Sequence, residues 1–177
     1  FDGIDTLADI YLNGTHLGET ISMHRIWEFP VEKVLKDGKN ELRVVLHSPL
    51  KFMAEAFKKY GNIGNDDTIE GFMHLRKAHY MSGWDWGACL PNAGIFRPVS
   101  LLGVEEARFD SVYIRQRHEN GQVALRPEIS MEIFEGAQEE FSYECKITHP
   151  DGMVQTVEGS PEDQHFESPA LVAEWTG

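Results

Sequence analysis

Apolar and polar positions alternate with a period of two along most of this chain, and a single stretch shifts to a helical period. In LADIYLNGTHLGE (7–19) two short β-prone runs flank Asn13-Gly14, a pair that accepts positive φ at both turn positions and so predicts a hairpin. WEFPVEKVL (27–35) follows, and Asp37 to Asn40 predicts a turn. In ELRVVLHSP (41–49) Leu42, Val44 and Leu46 alternate with Glu41, Arg43 and Val45, giving the apolar and mixed faces of a sandwich strand.

The helical stretch is KFMAEAFKKYG (51–61). Met53, Ala56, Phe57 and Tyr60 share one face, and Gly61 supplies the stop. So short a helix does not stand alone in water, so it is expected to pack on the strands as an excursion. Residues 61–94 follow neither period and are rich in Gly, Asn, Asp, His and Trp, as functional loops often are. GIFRPVSLLGV (94–104) returns to strand character, with Pro98 placing it at an edge or bulge. FDSVYIRQRH, QVALRPEISMEIF, EEFSYECKIT and MVQTVEG then recur as strands about ten residues apart, with HPDG (149–152) as a hairpin turn. This spacing suits an immunoglobulin-like sandwich, although about five strands fit where about seven are usual. The second domain is therefore expected to be cut short.

Composition narrows the function. The 177 residues carry a formal net charge of −13, which argues against nucleic acid or anionic lipid as a partner. No apolar run is long enough for a membrane helix. Cys89 and Cys145 are expected as buried or half-buried free thiols, which favours a reducing, cytoplasmic setting. The opening residues lack the pattern of a signal peptide and read like the middle of a domain.

Eight histidines are present, and the closest pair, His74 and His79, lacks the spacing of a zinc helix or finger, so no metal site is expected. Asn40-Glu41 sits at a turn-to-strand junction and reads as a solvated strand edge. GWDWG (83–87) is different. Tryptophan faces can wall a sugar, and a carboxylate accepts two hydroxyl hydrogen bonds. If residues 84–86 are extended, Trp84 and Trp86 share one face and Asp85 takes the other, so packing and ligand contact are both open. A buried Asp85 needs Arg76, Lys77, backbone N–H groups or a ligand beside it.

FDGIDTLADIYLNGTHLG, LKDGKNELRVVLHSP and GIFRPVSL, in that order, resemble the N-terminal sugar-binding-type jelly roll of glycoside hydrolase family 2. RKAHYMSGWDWG (76–87) resembles the β-mannosidase branch, whose members carry Arg-Lys before a Trp-Asp-Trp loop. The resemblance implies an all-β chain with one short helix. A galactose-binding-like jelly roll would span 1–104, with its first strands missing, and an immunoglobulin-like sandwich 105–177. It also implies a longer enzyme with a (β/α)₈ barrel bearing two catalytic glutamates. A barrel takes about 250 residues and shows βα alternation, so no catalytic residue is expected here. By the same match Asp85 would bind sugar hydroxyls, Trp84 or Trp86 would wall the pocket, and Arg76 would support them.

The implied partners are a mannoside or oligosaccharide substrate and the barrel of the same polypeptide. No cofactor is implied, and a homodimer of the parent enzyme is left open. The competing readings are a β-galactosidase, β-glucuronidase or exo-glucosaminidase of the same family, a free-standing carbohydrate-binding module, and a purely structural sandwich pair.

Overall fold

The computed structural model describes residues 1–62, 64, 68–84, 87–119, 121–134, 137 and 141–160, with Trp84 and Gln122 described by their backbone. The described residues form strands and one α-helix, in two compact units that divide between Leu101 and Leu102.

In the first unit β1 (Ile4–Asp5) leads into β2 (Leu7–Leu12), β3 (Thr15–Ile21) and β4 (Leu42–Leu46). The last three make an antiparallel sheet in the order β3-β2-β4. The Asn13-Gly14 turn has φ of 52° and 85°, as its sequence requires. Asn13 also ties the hairpin to the next strand. Its amide donates to Asn40 Oδ1 at 2.7 Å and to Val34 O at 2.8 Å, and its Oδ1 accepts from Glu41 N at 3.0 Å. The Asn40-Glu41 junction is thus part of a turn network.

Alternation along β2 buries Ala8, Ile10 and Leu12. Ile4, Ala8 and Ile10 form the core, with Phe1, Leu17, Trp27, Phe29 and Val44 packed against it. Each isoleucine so buried contributes about 1.5–3 kcal/mol. On β4 the expected apolar face is covered only at its centre. Val44 lies opposite Ile10 and is half-buried, whereas Leu42 and Leu46, opposite the ends of β2, are exposed.

The helix α1 (Pro49–Tyr60) starts earlier than its apolar period shows. Ser48 caps it by accepting from Lys51 N, and Pro49 fills the first turn, where a missing N–H costs nothing. Gly61 ends it by donating to Phe57 O at 2.7 Å. Met53 and Ala56 are buried as expected, but Tyr60 is exposed, beside Lys59 and His74. The helix packs against Gly71, where φ is +76° and an added Cβ would sit 2.1 Å from Met53 O. No side chain fits there.

The irregular stretch holds two 3₁₀ turns, Phe72–His74 and His79–Met81, and a small hairpin of β5 (Ser82–Trp84) and β6 (Gly87–Cys89). Next, β7 (Gly94–Ile95) pairs with β1. The strand expected over 94–104 is this short because Phe96 N and Arg97 N both donate to Gly3 O, which breaks the ladder, and Pro98 has no N–H to resume it. Its carbonyl instead accepts from Asp2 N at 3.1 Å.

The second unit contains a long hairpin, β8 (Ala107–Glu119) with β9 (Gln122–Ile133), and a shorter one, β10 (Tyr143–Thr148) with β11 (Val154–Gly159). His149 to Gly152 forms the turn between the latter two, closed by His149 N to Met153 O at 2.8 Å. Tyr143 is buried over Gly159, and Cys145 is half-buried. Both cysteines are free, but Cys89 is exposed, because its two-stranded hairpin leaves it uncovered.

Candidate functional site

The candidate site is the β5–β6 hairpin and the segment that leads into it. Across the ladder Ser82 faces Cys89 and Trp84 faces Gly87. Gly83 adopts φ +90°, and a Cβ there would come within 3.2 Å of Cys89 Cβ, so the close approach of the two strands selects glycine. At the open end of the hairpin Leu90 N donates to Met81 O at 3.1 Å.

Three consecutive residues anchor the hairpin to the rest of the unit. Arg76 makes a parallel bridge with Ser22, and its carbonyl accepts from Met23 N at 3.0 Å. Lys77 turns inward. Its buried ammonium pairs with the buried carboxylate of Asp5 and donates to Asn92 O at 2.9 Å. The hydroxyl of Thr6 donates to the other oxygen of Asp5. Ala78 N then points at Met23 Sδ. A buried ion pair with hydrogen bonds on both members fixes geometry more than it adds stability. It clamps the segment leading into the hairpin to β1, and Lys77 holds Asn92, two residues before β7, to that segment.

The expected site residues fall out as follows. Arg76 has a fixed backbone and an exposed side chain, available to a polar ligand. Trp84 ends β5, at the turn end of the hairpin. Asp85 and Trp86 lie outside the described residues. Lys77, considered from sequence as a counter-ion for Asp85, is committed to Asp5. Asp5, Thr6 and Asn92 were not legible as parts of this site. The pairing spans 72 residues, and no local spacing signals it. Tyr80 and Leu90 flank the hairpin with 76% and 71% of their surface exposed, so apolar surface surrounds its base.

Comparison with known proteins gives this arrangement a setting. Residues 1–97 match the model for the glycosyl hydrolase 2 galactose-binding domain-like family. A β-mannosidase B of Thermothelomyces thermophilus is 35% identical over 117 residues, which is 64% of this chain and 13% of that protein. The β-mannosidase of Mus musculus is 29% identical over 137 residues, 73% of this chain and 16% of its own length. The crystal structure of a β-D-mannosidase from Dictyoglomus thermophilum matches 96% of this chain and 21% of its own, with a TM-score of 0.74 and 32% identity. The chain therefore spans under a quarter of the length of these relatives. The likeness agrees with an all-β sandwich fold.

Proposed function

Because the chain belongs to the galactose-binding domain-like family of glycosyl hydrolase 2, in its β-mannosidase branch, we propose that it is the non-catalytic N-terminal portion of an exo-β-mannosidase. The observation that carries this reading is the match of nearly the whole chain, in fold and at 32% identity, to part of a β-mannosidase. The substrate is a terminal β-mannoside of an oligosaccharide. Hydrolysis proceeds with retention, through two carboxylates of a barrel elsewhere in the same polypeptide.

In this reading the hairpin positions substrate. Asp85 accepts hydrogen bonds from sugar hydroxyls, Trp84 or Trp86 stacks on the ring, and Arg76 supports the acid from the anchored segment. The Lys77–Asp5 clamp supports this role, because a loop that orients a sugar needs a rigid base.

Two measurements on the full-length protein test the proposal. A panel of 4-nitrophenyl glycosides is expected to show fastest turnover for β-D-mannoside. Faster turnover of the galactoside, glucuronide or glucosaminide overturns the choice of sugar. Asp85→Ala is expected to lower kcat/KM about 10–100-fold, the worth of a charged hydrogen bond, with melting temperature unchanged. Loss of melting temperature with kcat/KM intact would make GWDWG a packing element.

A further inference from the structure

On the sheet face opposite Ile10, a cluster of side chains remains that the proposed function does not use. Antiparallel pairing sets Glu19, Asp9 and Val45 in one row and His16, Tyr11 and Arg43 in the next. The rows would not combine this way in a regular ladder. Counting by twos from Glu19 puts Leu17, not His16, on this face. The register shifts between Ile10 and Tyr11, so that Gly18 pairs with Ile10 and His16 with Tyr11. The extra residue is Leu17, which packs against the core, and His16 is turned out beside Asp9. A bulge that re-aims a side chain in this way is a common device at binding sites.

We propose that Asp9, His16 and Glu19 bind a divalent transition-metal ion of the zinc type, with His47 holding Asp9 in its ligating orientation. Their ligand atoms lie within 4.8 Å of one another. His16 Nε2 stands 3.4 Å from Asp9 Oδ1. Ligands at about 2.0–2.2 Å from a tetrahedral zinc are separated by about 3.3–3.6 Å, so this pair is already spaced for it. Glu19 is exposed and closes the remaining gap by rotation about its own side chain. His47 Nε2 lies 2.8 Å from the other oxygen of Asp9. It donates there, leaving Oδ1 for the ion, the usual arrangement of an outer partner that orients a metal-bound carboxylate.

Two carboxylates offer a dication its charge balance, and the imidazole favours zinc, nickel or copper over magnesium or calcium. Three protein ligands leave one position for water. Access is open, because Asp9, Glu19 and His47 line a groove of about 500 Å³ together with Lys51 and Phe52 of α1. Histidine spacing along the chain gives no hint of this cluster. His74 and His79, nearest in sequence, are engaged separately, the one with Gly61 O at 2.8 Å and the other against the ring of Phe72.

The test is a difference measurement on the full-length protein at neutral pH, after chelation and dialysis. Titration with zinc chloride is expected to show one more bound ion in the wild type than in Asp9→Asn/His16→Gln. His47→Gln is expected to weaken that ion about 10–100-fold without removing it. Cobalt(II) in place of zinc is expected to give visible absorption of tetrahedral strength that His16→Gln abolishes. His16 is exposed, so this single variant keeps the test decisive if the double variant does not fold. Equal zinc content in wild type and variants, or a cobalt spectrum indifferent to His16→Gln, overturns the proposal and leaves the cluster a set of histidine–carboxylate pairs.

Discussion

Asp5 and Lys77 meet with 6% and 4% of their side chains exposed, whereas Arg115 and Glu128 meet on the β8–β9 hairpin with 60% and 34% exposed. Each is one cation beside one carboxylate, and what differs is the water around them. Burial makes the first pair indivisible. Both ions have lost their hydration, so each depends on the other and on the hydrogen bonds from Thr6 and to Asn92. At the surface either ion can lose its partner and take water instead. The buried pair therefore specifies where the segment before the hairpin must sit, and the exposed pair specifies little.

The largest effect is expected from breaking the buried pair on one side. Lys77→Met should destabilise the first unit by about 3–5 kcal/mol, seen as a lower urea midpoint, because Asp5 is left charged and dry. Asp5→Leu/Lys77→Met should recover most of that loss, since two apolar groups need no partner. A single variant that costs no more than a surface substitution would erase the distinction between the two regions.

Thr6→Val sharpens the comparison at an intermediate size. It keeps the shape of the side chain and removes one donor to the Asp5 carboxylate. The expected cost is about 1–3 kcal/mol by urea unfolding, the price of one unmade hydrogen bond to a buried charge. An effect near zero would mean that Lys77 alone carries the carboxylate.

The two regions were also unequally readable. The strands of the β8–β9 and β10–β11 hairpins followed from their β-prone runs and spacing, the Asn13-Gly14 turn from a pair that accepts positive φ, and the end of α1 from Gly61. These features depend on neighbours in sequence. Period two does not say whether a face will be covered, so Leu42 and Leu46 read as core and stand exposed. The candidate hairpin was legible as an unusual stretch, Gly83 to Gly87, and Arg76 as its neighbour. Its anchor was not, because Asp5 reaches Lys77 across the whole unit. The cluster at Asp9 was hidden for a third reason. A one-residue bulge reverses the side of His16, and nothing in the alternation marks it.

The smallest effect belongs to the exposed pair. Arg115 Nε donates to Glu128 Oε1 at 2.7 Å, and this contact holds the guanidinium above its ordinary pKa. The same guanidinium lies 5.2 Å from the ring of Tyr113. Charge and stacking can be separated by salt. Arg115→Ala should barely move the unfolding midpoint of the second unit, and the small shift should fade between about 0.1 M and 1 M salt, as screening removes the ionic part. Arg115→Lys should keep the salt-sensitive part and lose the planar contact with the Tyr113 ring. A shift as large as that of Thr6→Val, and indifferent to salt, would mean that Arg115 acts through packing on Tyr113 within β8 rather than through its ion pair to β9. The contrast between the regions would then rest on shape in one and on charge in the other.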